Sequence, residues 1–126
     1  METDPAADKF GAFLVANLRD TAIDRVDGLL AAHWKSARLQ SLQADLGCLT
    51  PEQQAVVRRC VAEAIDGGIH DFLFALGVEH DRGGSIAVIV DGQDVAAQSD
   101  GLQGEPCGKD GWYARFSKHG AFPEQA

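Results

Sequence analysis

The sequence lacks any long run of apolar residues. No segment reaches the about 20 residues that a membrane-spanning helix needs, and the composition, 45% hydrophobic and 24% charged, is typical of a globular protein. Residues 1–5 are acidic where a secretory signal would be basic and then apolar. We therefore expect a cytoplasmic protein whose 126 residues form one domain.

Cysteine is scarce, and its spacing matches neither a zinc module nor a disulfide framework. Cys48, Cys60 and Cys107 are an odd number of thiols, as expected in a reducing compartment. Cys60 follows apolar neighbours in a helical pattern and is expected to pack in the core. A thiol enzyme built on Cys48 with His70 or His80 stays open as an alternative, although no local motif surrounds Cys48.

Basic residues are also few. Lys and Arg number 11 against 19 Asp and Glu, which gives a net charge of -8. The imbalance lies in residues 61–126, which hold four basic and eleven acidic residues. Such a surface repels phosphate backbones, so it disfavours nucleic-acid binding and favours a basic protein partner. The alternative is that the acidic loops only maintain solubility.

Motifs for nucleotide and calcium binding are missing. The glycine-containing segment 101–104 is followed by no predicted helix that could present its N-terminus to a phosphate. The acidic turn at residues 91–94 lacks the alternating oxygen ligands and the closing glutamate of an EF-hand. We therefore expect no cofactor.

The most specific local signal is a β-hairpin. An apolar, largely β-branched run over residues 85–90 meets Asp91-Gly92, a dipeptide preferred in two-residue hairpin turns, and resumes at Val95. Both faces of the run are apolar, which predicts a strand buried on both sides or central in a sheet. An isolated hairpin is marginal in water, so it must lie on the helices, on a further strand or against a second copy of the chain.

The residues before the hairpin predict helices. A first helix, from residue 5 or 8 to about 19, is indicated by an apolar stripe at helical spacing: Phe10, Phe13, Leu14 and Leu18. A second stripe over 22–34 follows Asp20 or Thr21 as N-cap. The two helices are either separate or one bent rod. A third helix over 36–46 meets Gly47 as its stop.

The best-specified helix start is at Thr50. Thr50 as N-cap, Pro51 at the first helical position and Gln53 at the third form a capping box. Apolar residues keep one face through Gly67-Gly68, which favours a continuous helix, with two successive helices as the alternative.

One face of this helix carries the candidate metal ligands. Arg59, Glu63, Asp66 and His70 recur at three- and four-residue steps, a spacing at which carboxylates and an imidazole can bind a divalent metal. The row lies roughly opposite the apolar stripe, so we expect a solvated face with ion pairs. Glu63, Asp66 and His70 stay the metal candidates.

Acidic and aromatic residues after the hairpin form the predicted partner-binding surface. Aromatic residues carry much of the binding energy at interfaces. Alternatively, Trp112 and Phe116 attach the hairpin to the helices, in a segment that is either a third strand or a short helix. The residues predicted to bind a partner are Asp91, Asp94, Asp100, Glu105, Asp110, Trp112 and Tyr113.

About the last forty residues also carry a family resemblance. They resemble small uncharacterised bacterial proteins in four segments: Val90-Asp91-Gly92, Ser99-Asp100-Gly101-Leu102, Asp110-Gly111-Trp112 and Phe116-Ser117-Lys118. The resemblance implies a bacterial origin and no particular site residue. Some small acidic bacterial proteins of this size are immunity partners of toxins, which suggests the same kind of role.

Together these patterns predict an α+β fold over residues 1–126, with three or four N-terminal helices packed on a small antiparallel sheet. Residues 1–7 and 121–126 are predicted to be flexible tails. The functional hypothesis is a non-enzymatic, immunity- or adaptor-like module that binds a basic partner. The alternatives are a metal-dependent or thiol enzyme, and a homodimer that buries the hairpin face or the aromatic segment.

Overall fold

The N-terminal part of the chain is one uninterrupted helical rod. The computed structural model describes residues 5–121, and in it α1 (Pro5–Leu14), a π-helical turn (Val15–Arg19) and α2 (Asp20–Leu30) follow without a break. Leu14, Arg19 and Asp20 all keep right-handed helical backbone angles at the junctions. Of the two alternatives, the single rod is correct, and Asp20 is an interior residue instead of an N-cap.

The π-helical turn changes which residues face the core. Val15 and Arg19 are both 0% exposed, whereas Phe13 and Leu18 of the predicted stripe are 68% and 49% exposed. A π-helical turn holds more residues than an α-helical turn, so it shifts the apolar face away from the positions that a 3.6-residue period selects. The predicted burial of Phe13 and Leu18 is therefore wrong.

Two further helices follow. α3 (Ala37–Gly47) begins after Ser36 and ends at Gly47, close to the predicted stop. α4 (Pro51–Asp81) begins with the predicted capping box, since Thr50 and Gln53 each accept a backbone hydrogen bond from the other. It continues through both central glycines, which confirms the continuous helix.

The hairpin is much shorter than predicted. β1 (Ile89–Val90) pairs with β2 (Gln93–Asp94) in antiparallel register. Asp91 and Gly92 have φ angles of 51° and 78°, both positive as in a type I′ turn, and they form the two-residue hairpin turn that the dipeptide predicted. Ile86 and Ile89 are 66% and 58% exposed, so the prediction of a central, doubly buried strand is wrong. Within residues 5–121 no third strand pairs with the hairpin, so the sheet consists of β1 and β2 alone.

The chain after the hairpin is loop with two short helical pieces. A 3-10 turn (Leu102–Gly104) precedes α5 (Trp112–Phe116), so the segment at Trp112 is the predicted short helix and not a third strand. Arg115 of α5 donates to both carboxylate oxygens of Asp8, at 3.2 and 3.0 Å, and attaches α5 to α1. The α+β prediction is confirmed in broad terms.

The main core lies between α1, α4 and the C-terminal loops. Trp112 is fully buried and packs edge-on against Phe10, with ring centroids 6.0 Å apart. The buried core residues are Leu14, Val15, Ile69, Leu73, Leu76, Val95, Leu102, Trp112 and Tyr113. Burial of Trp112 and Tyr113 corrects their assignment to a partner-binding surface, because these side chains are already covered by their own chain.

Several other expectations need correction. Cys60 is exposed instead of packed in the core, and Phe72 of the α4 stripe is 51% exposed. Residues 5–7, predicted as tail, begin α1, and Ala6 and Ala7 are each 3% exposed. The remaining predicted tail residues, 1–4 and 122–126, lie outside the described residues.

In the part of the chain that the structure describes, no helix combines the length and the apolar composition of a membrane span. Even α4, with 31 residues, carries charged side chains along its length.

The contact between Gly11 and Trp112 gives a stability prediction. A Cβ at Gly11 would overlap the buried Trp112 indole, so Gly11→Ala should destabilise the fold by about 1–3 kcal/mol. Gly68→Ala is the matched control, because a Cβ there meets nothing within 4 Å. It should stabilise the chain by up to about 1 kcal/mol. Urea unfolding measures both changes in the free energy of unfolding. Changes of the same sign in the two variants would contradict the close packing of Gly11 against Trp112.

Candidate functional site

A cleft lies where α4 passes the C-terminal loops. Its volume is about 430 Å³ and Gly67 lines its α4 side, so we name it the Gly67 cleft. Its lining comes from α4, the 3-10 turn, the loop after it and α5. The lining residues are Glu63, Asp66, Gly67, His70, Gln103, Pro106, Cys107 and Tyr113.

A buried arginine lies behind one wall of the cleft. Arg19 is 0% exposed and pairs with Asp66 through two bonds, Nε to Oδ1 at 2.7 Å and Nη2 to Oδ2 at 3.1 Å. Its guanidinium lies 3.8 Å from the centroid of the Tyr113 ring. Nη1 also donates to Ser117 Oγ and to the Gly120 carbonyl oxygen. The arginine therefore connects the π-helical turn, α4, α5 and the C-terminal segment.

Tyr113 is a buried phenol whose ring lies against the Arg19 guanidinium. Burial away from water, the charge of Asp66 and a hydrogen bond to Asp66 together raise the pKa of Tyr113 well above its ordinary value. The phenol therefore stays protonated at neutral pH and cannot act as a general base.

The segment after α5 is attached to the N-terminal rod by polar contacts. Ser117 Oγ donates to Asp20 at 2.6 Å, and the Lys118 backbone N–H donates to the same carboxylate at 3.1 Å. Lys118 Nζ and His119 Nε2 lie 2.6 and 2.8 Å from the carboxylate oxygens of Asp24. Hydrogen bonds from Lys118 and then His119 hold the pKa of Asp24 below its ordinary value. These contacts attach the segment after α5 to α2.

The structure brings the metal candidates to one cleft but gives Asp66 another partner. Glu63, Asp66 and His70 all line the Gly67 cleft. Within the described ranges, no three His, Cys, Asp or Glu side chains are placed to hold a metal ion. The expected solvated face is corrected at Asp66, which is only 12% exposed because it pairs with Arg19.

The structure places a different cysteine near His70 from the one considered in the thiol-enzyme alternative. Cys48 caps the end of α3 and contacts the Ala44 carbonyl oxygen. The cysteine that shares a cleft with His70 is Cys107. This proximity joins residues from α4 and a distant loop, so the sequence offered no signal for it.

The acidic residues predicted to bind a partner are mostly engaged within the chain. Asp91 pairs with Lys9, and Asp94 lies 3.5 Å from His80 and accepts from the Ala96 N–H.

Two of the remaining acidic residues are exposed. Glu105 accepts a 2.6 Å hydrogen bond from Ser99. Asp100 and Asp110 are exposed. Of the residues predicted to bind a partner, Asp100 is both exposed and part of the lining of a second cleft.

That second cleft, of about 140 Å³, lies at the C-terminal end of α4, and we name it the acidic groove. Asp81 and Asp100 supply its charge, and neither makes an ion pair within residues 5–121. No basic side chain lines it. Its lining residues are Phe74, Gly77, Val78, Asp81, Ala96, Ser99, Asp100, Gly101, Leu102 and Gln103.

Asp81 was missed by sequence reasoning, which placed it in a turn after the helix. In the structure it is the last residue of α4, where a carboxylate opposes the helix macrodipole. A residue that lowers the stability of its own helix is a functional candidate, because proteins break such local rules mainly at functional sites.

The buried ion pair gives a second stability prediction. Asp66→Ala leaves the Arg19 guanidinium buried without its counterion and should destabilise the fold by about 3–5 kcal/mol. The control is Asp27→Ala, which removes a similar two-bond pair with Arg58 whose side chains are 32% and 42% exposed. That change should cost about 1 kcal/mol or less. Equal losses in urea unfolding would contradict the buried role of Arg19.

Comparison of the chain with family models, with curated proteins and with solved structures finds no match. The clefts and the charges on their walls are therefore the basis for a functional assignment.

Proposed function

We propose that this protein is a non-enzymatic interaction module that binds a basic segment of a partner protein in the acidic groove. The observation that carries the proposal is the pair of carboxylates, Asp81 and Asp100, lining a groove that no basic side chain lines. An Arg or Lys side chain of a partner supplies the missing positive charge.

The electrostatics of the groove favour a cation. The C-terminal end of α4 carries the negative end of the helix macrodipole, equivalent to about half an elementary charge. Asp81 adds a full negative charge at the same end and Asp100 approaches from the loop. Repulsion between Asp81 and the helix end costs the free protein stability, and a bound cation relieves that repulsion.

The groove also has an apolar rim. Phe74 and Val78 are 52% and 45% exposed and line the groove beside the carboxylates. The aliphatic stem of a Lys or Arg side chain can pack against such residues while its charged end meets a carboxylate. We therefore propose that the partner segment carries a basic residue next to an apolar one.

The same proposal includes the cellular setting. All three cysteines are free and exposed, which suits a reducing compartment, so we propose a cytoplasmic protein. A net charge of -8 supports a basic protein as the partner over a nucleic acid. An immunity or adaptor role in a bacterium fits this chemistry.

Peptide selection tests the proposal. Peptides selected from a random library against the full chain should be enriched in Arg or Lys beside an apolar residue. Replacing Asp81 and Asp100 together by Asn should weaken the best peptide at least about 10-fold, measured by calorimetry, because charge-assisted bonds are lost. Binding should also weaken as salt is raised.

The control for this test is Asp45→Asn. Asp45 is an exposed carboxylate near the C-terminal end of α3, outside the groove, so its replacement should leave the affinity unchanged. Asp81→Asn should at the same time stabilise the free chain by about 0.3–1 kcal/mol. Selected peptides without basic residues, or equal losses in both variants, would refute the proposal.

The exposed hairpin favours a second candidate, a homodimer formed through that face. Ile86 and Ile89 are 66% and 58% exposed, and β1 has an unpaired edge among the described residues. We expect light scattering to show a dimer at high concentration that Ile89→Lys converts to a monomer. Leu42→Lys, on α3 and 44% exposed in the wild type, should leave the dimer intact. A monomer at all concentrations would exclude the dimer.

A further inference from the structure

A further groove runs between α2 and α4. Its volume is about 400 Å³, and we name it the Arg25 groove. The two helices run antiparallel here, because Arg19 pairs with Asp66 and Asp27 pairs with Arg58. Among the described residues, none lines both this groove and either of the other two clefts. The lining residues are Leu18, Thr21, Ala22, Arg25, Val26, Leu29 and Val61.

The apolar surface of the groove is only partly covered by the chain itself. Leu18 is 49% exposed, and Leu29 and Val61 are half-buried. The core beneath them is small, with Ile23 and Ala62 as its buried residues. Positions 18, 22, 25 and 29 recur at three- and four-residue steps, so they form one face over about three helical turns. A groove of this length between two antiparallel helices fits a third helix.

The charge of the groove is positive. Arg25 is its charged lining residue, and it is exposed and makes no ion pair within residues 5–121. The neighbouring carboxylates of α2 are already engaged, since Asp24 pairs with Lys118 and Asp27 pairs with Arg58. This part of the surface is therefore locally positive, although the whole chain carries a net charge of -8.

Trp34 restrains the guanidinium of Arg25. The Arg25 Cζ atom lies 5.7 Å from the centroid of the Trp34 ring, within the range of a cation–π contact. Trp34 is held in turn by the buried Gln43, which accepts from its backbone N–H at 2.9 Å and donates to its carbonyl oxygen at 2.8 Å. A restrained guanidinium loses less entropy when it binds a carboxylate, to which it can donate two parallel hydrogen bonds.

We propose that the Arg25 groove binds an amphipathic helix of a partner protein, with apolar residues on one face and an aspartate or glutamate beside them. The apolar residues cover Leu18, Leu29 and Val61, and the carboxylate binds Arg25. A second copy of the chain is a poorer occupant. No lining residue is acidic, so two copies that face each other through this groove would leave both Arg25 side chains without a carboxylate. The proposal does not depend on the acidic groove, which selects a basic segment.

Selection of helical peptides tests the proposal. The probes are helices of about three turns, displayed on a folded scaffold with one randomised face. The bait is the full chain carrying Asp81→Asn and Asp100→Asn, which removes the charge of the acidic groove. Selected helices should combine Leu, Ile or Phe at helical spacing with an Asp or Glu. Arg25→Glu should weaken the best helix at least about 10-fold in calorimetry, and replacing the acidic residue of that helix by Lys should restore the affinity for this variant.

Two residues of α3 provide the matched controls. Arg38 is an exposed arginine outside the groove, so Arg38→Glu should leave the affinity unchanged. Leu18→Ala should weaken the helix at least about 3-fold, because apolar contact is lost. Leu42, which is 44% exposed, lies outside the groove, so Leu42→Ala should not weaken it.

Three outcomes would overturn the proposal. The first is a set of selected helices without an acidic residue, and the second is an equal loss of affinity in the Arg25→Glu and Arg38→Glu variants. The third is a dimer of the chain that Leu18→Lys dissociates in light scattering, because it would place a second copy in the groove.

Discussion

The buried guanidinium of Arg19 is the constraint on which the rest of the structure depends. A charge with no exposure to water is stable only when it is paired and hydrogen-bonded. Its partners, Asp66, Tyr113, Ser117 and the Gly120 carbonyl, come from α4, α5 and the C-terminal segment. These segments must therefore assemble around the arginine together. The same contacts hold the walls of the Gly67 cleft.

The features that the sequence predicted correctly are those set by neighbouring residues. The capping box at Thr50 and the type I′ turn at Asp91-Gly92 each depend on a few adjacent side chains and backbone angles. The continuity of α4 through Gly67-Gly68 followed from an apolar pattern long enough to outweigh two unfavourable residues. In each case local chemistry and tertiary structure agree.

The errors arise where a distant segment decides the outcome. The periodicity at Phe13 and Leu18 assumed an ordinary α-helix, but a π-helical turn moves Val15 and Arg19 to the buried face. The β-branched run before Asp91 has strand propensity but, within residues 5–121, no third strand to pair with, so Ile86 stays exposed. β propensity expresses packing against neighbours, and those neighbours are not visible in the run itself.

The candidate sites were visible from the sequence only in part. The spacing of Glu63, Asp66 and His70 placed them on one face of one helix, and they do line one cleft. The approach of Cys107 and Tyr113 to that face depends on long-range packing, which no local pattern reports. In the same way Asp100 was identified as an exposed acid, while its position in the same groove as Asp81 was not.

Both clefts lie at the junction between α4 and the loops that follow the hairpin. The helix supplies one side of each cleft, and the 3-10 turn supplies Gln103 to both. Leu102 of that turn is 2% exposed and packs in the main core, so the turn is anchored between the clefts. The core fixes one side of each cleft and α4 fixes the other. Since the packing sets the shape of each cleft, the charges on its walls decide which ligand it selects. In the acidic groove those charges are negative, which is why a cation is the ligand proposed for it.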